Sequence, residues 1–448
     1  MSSPHPALLV PLACLSLAGH AAPPSLTVTG PWQVQVGAGE VQVDGTTITL
    51  AAPVTLTVAP AALVTVTGER YDSLPVFNPG GAGWMKGARL RGVITQETSA
   101  KGALEPASVL LTSEADGGIT YVRDQDYALD PAWGTFGRLA GGRIGDMQPV
   151  YASYRHGLGR LDTIAVGRDG RVVVRLGTPH ISVPQPAGAG EEAVALANLW
   201  VSSRLGTLDA NAVFPITEAA YPALPVPQTL ADYCPQTLRK LRAGETVRIL
   251  AWGDSVTDGG FLPAPATERW QAQFVARLQA RFPQATIELI NLGWGGRNTA
   301  SFLGEPAGSR FNYREKVLGA KPDLIVSEFV NDAGLSPEAV EARYGKLLAD
   351  FQGIGAEWII LTPHYVRPDW MSLTRERDID ADPRPYVAGL RQFAARHHVA
   401  LADASLRWGR LWRQGLPYTT LLLNAINHPD RRGMALFADS LMALVPAE

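Results

Sequence analysis

The hydrophobic pattern of this chain changes period once, and that change limits its fold more than any other feature. From Ser25 to about Thr67 apolar residues recur at every second position: Leu26/Val28, Trp32/Val34/Val36, Val41/Val43, Ile48/Leu50 and Val54/Leu56/Val58. Thr and Gln fill many of the places between, and Asp44-Gly45 is a two-residue hairpin signal. Period two with one apolar face is antiparallel β-structure. Short strands continue to about Thr217, for instance Arg171 to Leu176 after the turn at Asp169-Gly170. Residues 23–225 therefore read as a β-rich accessory region, sandwich- or jelly-roll-like, of one or two modules. Its aromatics, Trp84, Tyr121, Tyr127, Trp133, Phe136, Tyr151 and Tyr154, are expected in the core rather than on a sugar-binding platform.

Tyr221 to Pro227 has three prolines in seven positions and reads as a stiff linker. Beyond it, in residues 226–448, apolar strands alternate with helix-period segments. The strands are expected at Val247–Trp252, Ile287–Asn291, Leu324–Phe329, Trp358–Thr362 and Val399–Ala402. The helices are expected at Thr267–Arg281, Pro337–Phe351, Arg384–His397 and Asp430–Val445, the first with Trp270, Phe274 and Leu278 on one face. Short apolar strands between amphipathic helices imply a parallel sheet covered on both faces, a three-layer α/β/α unit. Functional groups in such a fold belong at the carboxyl ends of the strands.

The charge balance bounds what the chain can bind. A formal net charge of −3 over 448 residues supplies no basic field for nucleic acid. The apolar run from Ala7 to Ala18 reads as the core of a signal peptide covering residues 1–22, cut after Ala21 or Ala22. A secreted, periplasmic or cell-surface location follows. Of the two cysteines, Cys14 lies in that leader, so only Cys234 remains and no intramolecular disulfide is expected. No stretch beyond the leader is long and apolar enough to span a membrane.

Four motifs stand at the ends of expected strands or before the last helix. Gly253-Asp254-Ser255-Val256-Thr257-Asp258-Gly259 follows an apolar strand directly. A serine on such a glycine-flanked strand-to-helix turn is exposed, and its backbone N–H points where its hydroxyl attacks. The others are Asn291-Leu292-Gly293-Trp294-Gly295-Gly296, Glu328-Phe329-Val330-Asn331-Asp332 and Ile426-Asn427-His428-Pro429-Asp430. Taken singly, each has an ordinary structural explanation, such as a turn that needs positive φ.

In this order they resemble the sequence blocks of the SGNH (GDSL-like) hydrolase/esterase family, over the C-terminal half only. The resemblance implies a flavodoxin-like α/β/α fold and a serine esterase. It makes Ser255 the nucleophile and His428 the base that takes the serine proton and returns it to the leaving group. It gives the oxyanion hole to the backbone N–H groups of Ser255 and Gly296 and the Asn331 side-chain amide. Val330 stands where the family often has glycine. The family also usually carries an aspartate three residues before the histidine, to fix its tautomer and stabilise the imidazolium. That position is Ala425 here, with Asn424 one residue earlier. Asn424 is a candidate third member or orienting residue, Asp430 and Asp332 are candidate carboxylates by proximity in the motifs, and His364 is a candidate supporting or substrate-facing residue.

The expected reaction is two-step acyl transfer without cofactor or metal, since the sequence has no His-Glu-x-x-His and no Cys/His cluster. The expected partner is an acylated small molecule or polysaccharide. Deacetylation of carbohydrate is the leading reading, by analogy with secreted SGNH domains joined to β-domains. The alternatives are a lipase or thioesterase of the same family, and an inactive carbohydrate-binding or adhesion protein. The sequence does not fix the oligomeric state.

Overall fold

The computed structural model describes residues 23–204, 206–222, 229–379 and 381–446. The leader and most of the Tyr221–Pro227 segment lie outside the described residues.

The N-terminal region is β-structure with short 3₁₀ turns, as its period predicts. The Asp44-Gly45 turn has φ of 46° and 77° at its two central residues, the doubly positive geometry that suits strand twist, and joins Gly39–Val43 to Thr46–Leu50. Two separate cores lie inside the region. In one, Val34, Val36, Val41 and Leu50 pack on Ile164, Val166, Ala197 and Leu199. The latter four come from the antiparallel strands Arg160–Gly167 and Ala193–Val201. The other core is built from residues between, including Leu104, Leu111, Tyr121, Phe136, Val150 and Tyr154. The module centred on 63–157 is thus inserted between the two halves of its neighbour. Of the seven aromatics, Tyr121, Tyr127, Trp133, Phe136 and Tyr154 are buried, while Trp84 and Tyr151 are half-buried.

The C-terminal region is an all-parallel five-stranded sheet: β1 (Thr246–Gly253), β2 (Thr286–Gly293), β3 (Leu324–Glu328), β4 (Glu357–Leu361) and β5 (Ala400–Ala402). Their order is β2-β1-β3-β4-β5. This is the flavodoxin-like order, which reverses direction at β1 and opens a crevice at its carboxyl end. The main covering helices are α1 (Trp270–Arg281), α2 (Pro337–Gly353), α3 (Pro385–His397) and α4 (Arg431–Met442). Alternate residues of β1 face opposite ways. Val247, Ile249 and Ala251 meet Trp270, Phe274 and Leu278 of α1 and Phe437 and Leu441 of α4. Leu250 and Trp252 meet the other core, with Tyr344, Leu347 and Phe351 of α2 and Leu390 and Phe393 of α3. Both faces of the central strands are therefore covered, which is why β3 and β4 read as short apolar runs.

Candidate active site

Three strand ends converge because glycine lets them. A Cβ on Gly293 would come within 2.0 Å of the Asp258 nitrogen, and one on Gly253 within 2.1 Å of Thr257 Oγ1 and 2.3 Å of the Glu328 oxygen. No side chain fits in either place, so the turn after β2 nests directly on the turn after β1. The Trp294 N–H donates to the Gly253 carbonyl at 3.0 Å and fastens the two turns.

Ser255 opens a single helical turn, Ser255–Asp258, closed by Gly259 at φ 61°. Asp254 caps that turn. Its Oδ1 accepts the Val256 N–H at 3.0 Å, and its Oδ2 accepts the Asn331 N–H at 2.9 Å. One buried carboxylate therefore ties the turn after β1 to the turn after β3. Burial overcomes these hydrogen bonds and pushes the Asp254 carboxyl up to about 7. Glu328, also fully buried and close to Asp254, is raised well above its ordinary value, first by burial and then by the Asp254 charge.

Gly295 sits beside the serine, and Gly296 follows it. A Cβ on Gly295 would lie 3.9 Å from Ser255 Cβ, and Gly296 has φ 71°. The Asn331 side-chain amide donates to the Arg297 carbonyl at 3.1 Å. An amide nitrogen carries two hydrogens, so this bond orients the group and leaves a second N–H.

His428 Nε2 lies 3.2 Å from Ser255 Oγ. The ring stacks on Phe261, with centroids 4.0 Å apart and planes 7° from parallel. Burial lowers its basicity, while the charge of Glu97 raises it; the net shift is downward. Nδ1 lies 3.0 Å from Gln96 Oε1 and 3.3 Å from Glu97 Oε2. Both residues belong to the β-rich region.

Of the remaining sequence candidates, Asn424 and His364 serve the loop that carries His428, while Asp430 and Asp332 are held elsewhere. Asn424 is buried, and its Oδ1 accepts the backbone N–H groups of Ile426, Asn427 and His428 at 3.0, 2.8 and 2.9 Å. Its Nδ2 donates to Asn427 Oδ1 at 3.0 Å. It thus holds the backbone under the histidine rather than the imidazole. His364 is buried, with Nε2 2.7 Å from the Asn427 carbonyl, so that nitrogen carries the hydrogen. Burial keeps its ring well below the ordinary histidine range and therefore neutral. Asp430 caps α4 through the Gly433 N–H and pairs with Arg432 at 2.7 Å. Asp332 pairs with Arg343 at 3.3 Å.

Gln96, Glu97 and Phe261 are the neighbours of His428 that sequence reasoning missed. Ile94-Thr95-Gln96-Glu97-Thr98-Ser99 shows no motif or period, and only the tertiary fold brings it to the histidine. Among the described residues no His, Cys, Asp and Glu cluster has the makings of a metal site.

Comparisons with known proteins bear on this half of the chain. The model of the GDSL-like Lipase/Acylhydrolase family matches residues 251–436. No curated protein matches the sequence. Among solved structures, the acetylxylan esterase Axe2 from Geobacillus stearothermophilus is 20% identical, with 45% of this chain and 95% of that chain covered and a TM-score of 0.36. A two-domain esterase active on acetylated mannans is 17% identical, with 47% of this chain and 51% of that one covered and a TM-score of 0.38. An α/β hydrolase from the metagenome of Lake Arreo, Spain, is 22% identical, covering 45% and 97%, with a TM-score of 0.35. With the family's motifs in order on the strand ends of the matched segment, the C-terminal half of this chain belongs to the GDSL-like lipase/acylhydrolase family and is a hydrolase of ester bonds.

Proposed function

We propose that the chain is an exported esterase that removes acetyl groups from carbohydrate through Ser255 and His428. The observation that carries the chemistry is the 3.2 Å approach of His428 Nε2 to Ser255 Oγ at the mouth of the sheet. His428 takes the Ser255 proton on Nε2 as Oγ forms a bond to the ester carbonyl carbon. The carbonyl oxygen gains the negative charge and is held by the backbone N–H groups of Ser255 and Gly296 and the second amide N–H of Asn331. As the C–O bond of the leaving alcohol breaks, His428 returns the proton to it. Water, deprotonated by the same nitrogen, then attacks the acyl-enzyme and releases the acid and free Ser255.

A cavity of about 560 Å³ supports carbohydrate as the alcohol half. It lies between the β-rich region and the hydrolase, lined in part by Trp133, Trp200, Lys101, Arg367 and Asp369, and reaches Ala425 on the histidine loop. Tryptophan side chains beside charged and hydrogen-bonding groups suit a sugar, which offers C–H and hydroxyl groups together. Among the described residues no helix is long and apolar enough to cross a membrane. The reading divides the chain into a leader at 1–22, a β-rich accessory region at 23–225 and a hydrolase region at 226–448.

Incubating the purified protein with acetylated polysaccharides and with short and long acyl esters, and measuring the acid released, tests the substrate class. Acetate from polysaccharide is the expected product. Release of long-chain acids alone would indicate a lipase, and no release from any ester would indicate an inactive binding protein.

A further inference from the structure

We infer that the β-rich region supplies the charged partner of the histidine: Glu97 stabilises the His428 imidazolium, and Gln96 holds its tautomer. This rests on the assignment of Ser255 and His428 proposed above.

The need for such a partner is visible in the hydrolase itself. The residue three before the histidine is Ala425, which has no group to offer, and Asn424 spends its oxygen on three backbone N–H groups. Asp430 and Asp332 are engaged with Arg432 and Arg343. The Nδ1 side of the ring is met from outside the hydrolase, by Gln96 Oε1 at 3.0 Å and Glu97 Oε2 at 3.3 Å.

The segment that brings them is held in place at both ends. Ile94 and Ser99 form an antiparallel bridge, and the Thr95 N–H donates to the Thr98 carbonyl at 3.0 Å. The Thr95 and Thr98 hydroxyls lie 2.9 Å apart. The Arg89 guanidinium donates to the backbone carbonyls of Glu97 and Thr98. Two bonds then dock the segment on the histidine loop: Thr98 Oγ1 donates to the Asn424 carbonyl at 2.5 Å, and the Gln96 N–H to the Leu423 carbonyl at 3.5 Å. Thr95, Thr98 and Ser99 are buried there. Glu97 has φ 154°, a backbone conformation a side chain rarely adopts, and one that persists only where the surroundings impose it.

The two residues divide the work of a single carboxylate. The Gln96 oxygen is a neutral acceptor for Nδ1–H, so Nε2 is left bare to receive the serine proton. When that proton arrives, the ring becomes a cation, and the Glu97 carboxylate lowers its energy. The Glu97 side chain is 57% exposed, so water screens its charge, and its removal costs less than the roughly 10⁴-fold seen for a buried triad aspartate. His364, which also lies near the ring, is kept neutral by burial. Among the described residues, the charge that acts on His428 is that of Glu97.

The test is a set of full-length variants assayed on 4-nitrophenyl acetate across pH: Glu97→Gln, Glu97→Asp and Ser255→Ala, each with its melting temperature. Glu97→Gln should lower kcat about ten- to a hundredfold with KM and melting temperature little changed. It should also move the acid limb of kcat/KM to lower pH, because loss of a nearby negative charge makes the imidazole less basic. Glu97→Asp, which keeps the charge, should lie between Glu97→Gln and wild type in both. If Ser255→Ala is dead while Glu97→Gln is within twofold of wild type, or loses rate with no shift of the acid limb, the inference is overturned and the serine–histidine reading stands. If Ser255→Ala keeps wild-type activity, the underlying reading fails instead.

Discussion

Asp254 and Asn331 are joined by a hydrogen bond of 2.9 Å from the Asn331 backbone N–H to the Asp254 carboxylate. The residue before the proposed nucleophile thus fixes the residue proposed to donate to the oxyanion, and both act from one rigid junction of β1 and β3. Asp254→Ala would leave the Val256 and Asn331 N–H groups without that partner. The expected cost is about 2–3 kcal/mol of stability, with turnover falling at least about tenfold as Asn331 loses its place. Denaturant unfolding and steady-state rates on one preparation check both.

The same carboxyl sets a pH dependence of stability. Its folded pKa, about 7, is raised above the ordinary carboxyl value of 3.8, so the stability it contributes is fully present below about pH 4. That contribution is lost as pH rises through 7 and the buried group must ionise. Glu328 is shifted the same way. The melting temperature of wild type should therefore carry a component that falls between about pH 4 and pH 7, and Asp254→Asn should reduce that fall. An unchanged slope in the variant would mean that Asp254 is ionised throughout.

Asn331→Ala separates transition-state stabilisation from folding. The side chain is exposed and makes a single bond, to the Arg297 carbonyl. Its loss should change stability by less than about 1 kcal/mol while lowering turnover roughly 10²–10³-fold. A fall of less than about tenfold would remove Asn331 from the oxyanion hole.

Asn424 gives the opposite contrast. Asn424→Asp keeps an acceptor for the three backbone N–H groups and should change turnover by less than about tenfold. Asn424→Ala leaves all three without it and should cost about 2–3 kcal/mol of stability, with slower turnover as the His428 loop loosens. A rescue of two or more orders of magnitude by Asn424→Asp, starting from an inert protein, would mean that the wild-type site is decayed.

Much of the hydrolase was legible in the sequence because its constraints are local. Trp270, Phe274 and Leu278 recur at helical spacing and lie in one core, and the apolar run of β1 fills both faces of the sheet. Gly253 and Gly293 mark a place where no side chain fits, and such a place leaves its mark at a fixed distance from the serine. Asn424 was visible as a departure, but its work on three successive N–H groups depends on the shape of a loop that no periodicity describes. Gln96 and Glu97 were not legible at all. They meet the histidine across more than 300 residues, from a turn with no pattern. The nested cores of the β-rich region were hidden for the same reason: period two identifies strands but does not say which strands pair.

If Ser255 and His428 form one working pair, acetyl ester hydrolysis needs both. Wild type, Ser255→Ala and His428→Ala should be compared on 4-nitrophenyl acetate, with a fluorophosphonate probe and intact mass on each. Wild type should turn over and take one label, on Ser255. Each variant should lose at least about 10³-fold in rate, and Ser255→Ala should take no label. Hydrolysis by either variant within tenfold of wild type, or a label on another serine, would contradict that pairing.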